Sequence, residues 1–215
     1  MSGVIRAVLW DFGGVITTSP FEAFARYERE NALPDGFIRG LNAANHHENA
    51  WAKLERSDVT FDEFCELYEA EAVVAGHTVD ARAVIACLSG DVRPQMVKAL
   101  RTIRNHGLRQ ACLTNNFTRM AAPVQSAESD ARTSILDVFD AVVESSRVGV
   151  RKPEPEFYRI ACEMLRIEPA EAVMLDDLGV NLKPARDLGM TTIKVVDPDV
   201  ALNELEAIVG FPLPR

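Results

Sequence analysis

The sequence predicts an α/β protein, a doubly wound parallel sheet with an all-helical domain inserted near its beginning. Short apolar runs alternate with helical patterns over most of the 215 residues. Such alternation is typical of parallel strands joined by right-handed helical crossovers. Residues 17 to about 90 break it, because only helical patterns occur there. The predicted division is a core domain of residues 1–16 and 91–215 and a helical domain of residues 17–90.

Five runs rich in Val, Ile, Leu, Phe and Ala have the length and composition of buried parallel strands. They are residues 4–10, 109–114, 138–143, 171–176 and 191–196. Between them, apolar spacing predicts a helix from Pro94 to Asn105 that Gly107 closes, and Pro155 opens a second helix. These helices would cover the faces of the sheet.

The inserted domain shows helical patterns and no run typical of a strand. The predicted helical segments are residues 19–31, 34–44, 46–56, 60–75 and 79–88. Thr60 followed by Glu63 has the spacing of a capping box at the start of the fourth segment. Because the insertion directly follows the first strand, we expect the domain to lie above the strand ends, as a lid over Asp11.

Composition excludes several classes of partner. A net charge of −9 and a pI near 5.0 argue against a surface for nucleic acid or anionic membrane. A local basic patch can still bind a phosphorylated substrate. No apolar stretch approaches membrane-spanning length, and no signal pattern opens the chain, so a cytoplasmic location is expected. The four cysteines fit reduced thiols of the core: Cys65, Cys87, Cys112 and Cys162. Nothing in the sequence specifies an oligomeric state.

Carboxylates follow two of the predicted strands. Asp11 ends the first strand and precedes Gly13 and Gly14, while Asp176 and Asp177 end the fourth. Each group alone would fit an ordinary polar turn. If the two strands are neighbours, however, three carboxylates meet at one edge of the sheet and need a cation. Because all the ligands are oxygens, Mg²⁺ fits best.

Two further polar segments follow core strands. Thr114 and Asn115 end the second strand, where hydroxyl and amide groups with a helix beyond them can bind phosphate oxygens. An Asx turn explains Asn115 and Asn116 equally well. Lys152 stands just before the helix that opens at Pro155. It could neutralise a phosphoryl group and a carboxylate, or it could be a surface lysine.

The order of these motifs resembles the haloacid dehalogenase-like hydrolase superfamily, in the branch with a helical cap after the first motif. The resemblance spans essentially the whole chain and is closest at residues 148–158 and 174–190. These two segments are similar to the amino-terminal phosphatase domain of soluble epoxide hydrolases and to the related domain of acyl-CoA dehydrogenase-like fusion proteins. The resemblance implies a Rossmann-like core and a hydrolase acting on a small phosphorylated metabolite.

The resemblance also implies catalytic and substrate-binding roles. Asp11 would be the nucleophile, forming an aspartyl-phosphate, and Lys152 would neutralise charge. Thr114 and Asn115 would bind the phosphoryl oxygens, together with Lys152. With the metal, Lys152 would let a dianionic phosphate approach a carboxylate.

A second set of implied roles concerns the metal. Asp11, the backbone carbonyl of Gly13 and Asp177 would bind Mg²⁺ directly. Asp176 would act through water or by orienting its neighbours. Asn181 would support these ligands without binding the ion.

Position 13 departs from the pattern of the family. Its phosphatases usually carry an aspartate there, which protonates the leaving alcohol and then activates water, whereas this chain has Gly13. Loss of a general acid/base costs about 10²–10⁴ in rate. The expected enzyme is therefore a slow Mg²⁺-dependent phosphatase, and the alternative is a non-catalytic phosphate-binding or regulatory module.

An active enzyme could work without an aspartate at position 13 in two ways. Either the leaving group departs unprotonated, or His46, His47 or Glu48 replaces the acid. Otherwise His46 and His47 fit a helix-surface or packing role better than metal binding, because consecutive helical residues do not share a face. A dehalogenase is less well supported, since those members carry an aromatic residue at position 13 and Thr at the position of Val15.

Overall fold

The computed structural model describes residues 4–116 and 134–215. Its five strands are β1 Ala7–Trp10, β2 Arg109–Thr114, β3 Ala141–Glu144, β4 Ala172–Asp176 and β5 Thr191–Lys194. They form one sheet in the order β3-β2-β1-β4-β5, and every neighbouring pair is parallel. The predicted doubly wound parallel sheet is confirmed.

Ten α-helices accompany the strands within the described residues. They are α1 Phe21–Glu30, α2 Phe37–Ala43, α3 Ala50–Arg56, α4 Phe61–Val74, α5 Ala81–Ala86, α6 Pro94–Asn105, α7 Ser145–Val148, α8 Pro155–Leu165, α9 Gly179–Asp187 and α10 Pro198–Val209. Proline opens α6, α8 and α10, where its missing N–H costs no helical hydrogen bond. Within the described residues, no helix is both long enough and apolar enough to cross a membrane.

Apolar side chains bury both faces of the sheet. On one face Val8, Trp10 and Leu175 pack with residues of α6 and α10, and on the other Leu9 and Met174 pack with residues of α8 and α9. Alternate residues of β1 and β4 therefore face opposite layers, which is typical of a central parallel strand. This arrangement of one sheet between two layers of helices holds the carboxyl ends of β1, β2 and β4 at one edge.

The helices α1–α5, here called the helical block, surround a separate apolar cluster that includes Phe24, Ile38, Phe64 and Tyr68. The capping box predicted at Thr60 is present: its hydroxyl accepts from the Glu63 N–H, and the Glu63 carboxylate accepts from the Thr60 N–H. The five predicted segments correspond to the five helices, with shorter bounds.

Two predicted boundaries are wrong for local reasons. The segment 46–56 becomes helical only at Ala50, because the Asn49 side chain caps α3 by accepting from the Ala52 N–H at 2.8 Å. The strand predicted over 138–143 begins at Ala141, because hydrogen bonds to Ile135 O and Leu136 O fold residues 138 and 139 into turns.

Two short connections join the helical block to the core. Thr17 and Val92 form an antiparallel bridge, the Thr18 N–H donates to Asp91 O at 2.8 Å, and the Arg93 N–H donates to Ile16 O at 2.9 Å. The two connections thus run side by side as a small ribbon. They hold the block against the carboxyl edge of the sheet, where its Glu55 reaches Asn115.

Candidate active site

Three carboxylates converge at the carboxyl edge of the sheet. β1 and β4 are neighbours, with Trp10 opposite Leu175, so the residues that follow these partners are brought to the same level. Oxygen atoms of Asp11, Asp176 and Asp177 all lie within 4.8 Å of one another. The convergence expected from the sequence is therefore present, and hard oxygen donors of this kind suit Mg²⁺.

Lys152 lies inside this cluster and not on the surface. Its side chain is 1% exposed, and its Nζ is 2.8 Å from Asp11 Oδ2 and 2.8 Å from Asp176 Oδ2. One ammonium group thus bridges the carboxylates that end two adjacent strands. The surface position considered from the sequence is excluded.

Electrostatics show that one lysine does not balance three carboxylates. Burial raises the pKa of Asp11 well above its ordinary value, Lys152 opposes that shift, and Asp176 and Asp177 add to it. Burial and Asp176 also raise the pKa of Asp177. Burial lowers the pKa of Lys152, but Asp11 and Asp176 outweigh it and hold that pKa above its ordinary value. A divalent cation would relieve the excess negative charge.

Asp176 is the most firmly held of the three acids. Its Oδ1 accepts from the Leu178 N–H at 2.8 Å, and Asn181 Nδ2 lies 3.0 and 3.1 Å from its two oxygens. Asn181 is fixed in turn, because the Tyr158 hydroxyl donates to its carbonyl at 2.6 Å. Asp177 accepts from the Ser19 hydroxyl of the connection at 3.2 Å.

The loop after Asp11 passes very close to Asp177. The Phe12 N–H donates to Asp11 Oδ1 at 2.6 Å, which fixes the carboxylate. Gly14 has φ of +77°, and a Cβ there would lie 2.2 Å from Asp177 Oδ2. Only glycine allows this approach. Gly14 is therefore a further residue of the site, and the Gly13-Gly14 pair is its signal in the sequence.

Thr114 and Asn115 stand where β2 ends. Thr114 is buried and lies opposite Glu144 of β3. Asn115 Oδ1 accepts from the Lys152 N–H at 2.9 Å, and Asn115 Nδ2 lies 3.0 Å from Lys152 O and 3.1 Å from Glu55 Oε2. The side chain of Asn115 therefore contacts protein groups, and its contact with phosphate stays a prediction. The helix expected beyond Asn116 falls outside the described residues.

Two charged residues at this edge, Glu55 and Arg151, were not predicted from the sequence. Glu55 of α3 is 8% exposed and forms a buried ion pair with Arg151, which directly precedes Lys152. Burial raises the pKa of Glu55, and Arg151 opposes that shift. No sequence signal identified Glu55, because it sits at an ordinary helical position about 60 residues before its core partner Asn115.

An open cavity of about 450 Å³ lies between the loop that precedes α3 and the core helices α8 and α9. Its lining includes His46, His47, Pro153, Arg159 and Lys183. The two histidines precede α3, and their ring centroids are 4.0 Å apart. The expectation that they point from different faces of a helix is therefore wrong, because neither residue is helical.

Comparisons with known proteins agree on the family. A family model described as haloacid dehalogenase-like hydrolase matches residues 5–189. Acyl-CoA dehydrogenase family member 10 of Mus musculus is 36% identical over 97% of this chain, and bifunctional epoxide hydrolase 2 of Sus scrofa is 32% identical over 97%. The aligned regions span 19% and 40% of those two proteins.

A further relative is matched over its full length, and a solved structure of similar fold contains ligands. A sesquiterpene phosphatase of Aspergillus oryzae is 26% identical over 98% of this chain and 100% of its own. A HAD family enzyme of Bacteroides thetaiotaomicron, solved with magnesium and inorganic phosphate, has a TM-score of 0.58 at 22% identity, covering 88% of this chain and 93% of that one. At that identity the likeness shows the fold alone.

Proposed function

Since the chain belongs to the haloacid dehalogenase-like hydrolase family, we propose that it is a Mg²⁺-dependent phosphatase acting on a small phosphate monoester. The observation that carries the proposal is the position of Lys152, 2.8 Å from both Asp11 and Asp176, whose oxygens lie within 4.8 Å of an Asp177 oxygen. A buried cation between strand-terminal carboxylates is arranged to bind an anion next to a nucleophile.

The donor set fits magnesium. Asp11, the backbone carbonyl of Gly13 and Asp177 would hold the ion, while Asp176 and Asn181 keep the neighbouring groups in place. The contacts of Asp176 with Lys152, Leu178 and Asn181 support an orienting role for it. When bound, Mg²⁺ supplies positive charge that offsets the carboxylates and the phosphate.

The residues of the chain divide the phosphoryl transfer between them. An Asp11 oxygen attacks phosphorus, the bond to the alcohol oxygen breaks with its electron pair leaving on that oxygen, and an aspartyl-phosphate forms. Lys152 offsets the charge that gathers on the phosphoryl oxygens, and Thr114 and Asn115 orient these oxygens. Water then cleaves the aspartyl-phosphate, releasing phosphate and restoring the Asp11 carboxylate.

Gly13 limits both steps, because it cannot donate a proton to the leaving oxygen or accept one from water. Turnover is therefore slow for alcohols that leave poorly. The same observation favours a second candidate function, a non-catalytic module that binds a phosphorylated ligand. Saturable binding without hydrolysis distinguishes the module from the enzyme.

The helical block acts as the cap in this proposal, as part of the inserted domain of residues 17–90. Pro153, which follows Lys152, lines the cavity between His46, His47 and the core, and we assign the part of the substrate beyond the phosphate to this cavity. The phosphatase relative supports a phosphorylated substrate.

Hydrolysis of p-nitrophenyl phosphate with Mg²⁺ tests the proposal, because this leaving group departs without protonation. Asp11→Asn and removal of metal by a chelator are each expected to abolish release of nitrophenol. Retained turnover under both conditions would contradict the mechanism. Absence of turnover by the unaltered protein, with saturable binding of inorganic phosphate, would favour the binding module.

A further inference from the structure

Glu55 places a negative charge of the helical block at the edge of the core. Its side chain is 10% exposed, its Oε1 accepts from Trp51 Nε1 at 3.0 Å, and its Oε2 accepts from Asn115 Nδ2 at 3.1 Å and from Arg151 Nε. Three donors thus converge on one carboxylate. Two of these donors, Asn115 and Arg151, belong to the core.

The core partners of Glu55 both adjoin Lys152. Asn115 brackets the Lys152 residue, accepting from its N–H at 2.9 Å and donating to its carbonyl at 3.0 Å. Arg151 precedes Lys152 and also donates to the His46 carbonyl of the block at 2.8 Å. A continuous set of contacts therefore runs from Glu55 to the backbone of the lysine that bridges Asp11 and Asp176.

We propose that Glu55 is a positioning residue for Lys152, acting through Asn115 and Arg151. Its contribution to rate rests on the phosphatase function proposed above, but its effect on the position of Lys152 does not. The block would then complete the site by fixing the main chain that carries the phosphate-neutralising lysine. Lys152 would be least well ordered when the block is displaced.

The charge of Glu55 is needed because its partners are buried. The Arg151 side chain is 11% exposed, so removing the Glu55 charge leaves a guanidinium with little access to water. Glutamine offers a single acceptor oxygen to the three donors that Glu55 serves, so at least one of them would lose its acceptor. A donor that loses its acceptor would turn toward another one. A turn of Asn115 would displace the Lys152 N–H and carbonyl that it holds, and a turn of Arg151 would move the residue that precedes Lys152.

Glu55→Gln tests the proposal, because it keeps the shape of the side chain and removes its charge. Arg56→Gln is the matched control: Arg56 is the next residue and crosses the same boundary to Glu154 at 3.7 Å, but its hydrogen bonds and ion pairs go to Asp58, Glu154 and the His47 carbonyl, and not to Asn115 or Lys152. In each variant, kcat and KM for p-nitrophenyl phosphate and exchange of the Lys152 amide hydrogen are measured, together with the melting temperature.

The expected result is selective. Glu55→Gln lowers kcat about ten- to hundredfold, the scale of a displacement of about 1 Å in a catalytic group, and KM changes less than about threefold. Exchange at Lys152 accelerates at least about tenfold, because its bond to Asn115 Oδ1 opens more often. Arg56→Gln leaves both measurements near those of the unaltered protein. Should Glu55→Gln fail to fold, Arg151→Lys serves in its place with the same expected results.

Two outcomes overturn the proposal. In one, Glu55→Gln lowers the melting temperature but leaves kcat and the exchange at Lys152 unchanged, which makes the residue an ordinary packing contact. In the other, Arg56→Gln changes kcat and exchange as much as Glu55→Gln does. If the unaltered protein hydrolyses nothing, the proposed function fails by itself, and the exchange measurement alone decides the role of Glu55.

Discussion

Single residues decide how well the site can work, and Gly13 matters most. Its φ of −69° and ψ of 133° suit any L-residue, and a Cβ at this position would meet no atom within 4 Å. An aspartate can therefore enter here without strain. Gly14, one residue later, has no such freedom, because its Cβ would overlap Asp177.

Gly13→Asp is predicted to raise kcat on phenyl phosphate by about 10²-fold, because that leaving group needs a proton. With p-nitrophenyl phosphate, the rate of the first turnover should rise much less in this variant, since nitrophenolate leaves without being protonated. Gly13→Asn is the control, with the same size and no proton to transfer at neutral pH. Equal rates for the Asp and Asn variants would show that proton transfer is not the missing element.

Asp177→Asn is predicted to stabilise the metal-free protein. The raised pKa of Asp177 means that the folded protein holds this proton more tightly than the unfolded chain. The free energy of unfolding therefore falls as the pH rises from 3.8, the pKa of this carboxyl in the unfolded chain, through its raised pKa in the folded protein. At neutral pH the ionised Asp177 carboxylate destabilises the folded protein. Removing the charge should raise Tm by about 2–4 °C, the effect of about 1 kcal/mol in a chain of this size.

The measurement for Asp177→Asn is thermal unfolding at pH 7 and near pH 3, with and without Mg²⁺. The higher Tm of the variant should disappear near pH 3, where Asp177 is protonated in the unaltered protein. Mg²⁺ should raise the Tm of the unaltered protein but not that of the variant. Asp35→Asn, at an exposed position between α1 and α2, should change neither the Tm nor its response to Mg²⁺. A lower Tm for Asp177→Asn at pH 7 without metal would contradict the electrostatic account.

At the residue scale the sequence predicts the groups that end strands but not those brought in from the helical block. Asp11, Thr114, Asp176 and Asp177 follow apolar runs, so their common edge can be inferred from the parallel sheet alone. Glu55 reaches Asn115 only through the packing of the block on the core. No local pattern encodes that long-range contact.

At the element scale, boundaries depend on interactions that periodicity does not contain. The end of β1 was predicted correctly, because the chain turns at once into the glycine loop. The start of α3 depends on a side-chain cap at Asn49, and the start of β3 depends on turns at residues 138 and 139. The apolar character of Val138 and Phe139 favoured a strand, although their N–H groups bond locally.

The two connections between block and core carry a testable constraint at Gly90. A Cβ there would lie 2.6 Å from the backbone oxygen of Thr18 on the other connection. Gly90→Ala should therefore push the connections apart and displace the helical block. We predict a fall in kcat/KM of about tenfold, because small displacements of a catalytic arrangement are costly.

Gly40→Ala is the matched control for Gly90→Ala. Gly40 lies within α2 of the same block, and a Cβ there meets no atom within 4 Å. This change should leave kcat/KM unchanged and raise Tm slightly, since alanine favours helix. Equal activity of the Gly90→Ala variant and the unaltered protein would show that the relative position of block and core is not critical.

At the scale of the whole molecule, fold and site follow from one topological fact. β1 lies between β2 and β4, so the first strand brings Asp11 between Asn115 and the pair Asp176 and Asp177. The sheet buries one apolar layer on each face, and the helical block holds its own apolar cluster above the carboxyl edge. The net charge of −9 is compatible with anion binding because Lys152 is buried at that edge.

Detection of a phosphoryl group on Asp11 tests the account most directly. Because Gly13 slows the second step, p-nitrophenyl phosphate with Mg²⁺ should leave the protein phosphorylated on Asp11, visible after acid quenching and mass spectrometry and as a burst of nitrophenol. Asp11→Asn and chelation should remove both signals. Nitrophenol release without modification of Asp11, or no modification of Asp11 in the unaltered protein with Mg²⁺ present, would contradict it.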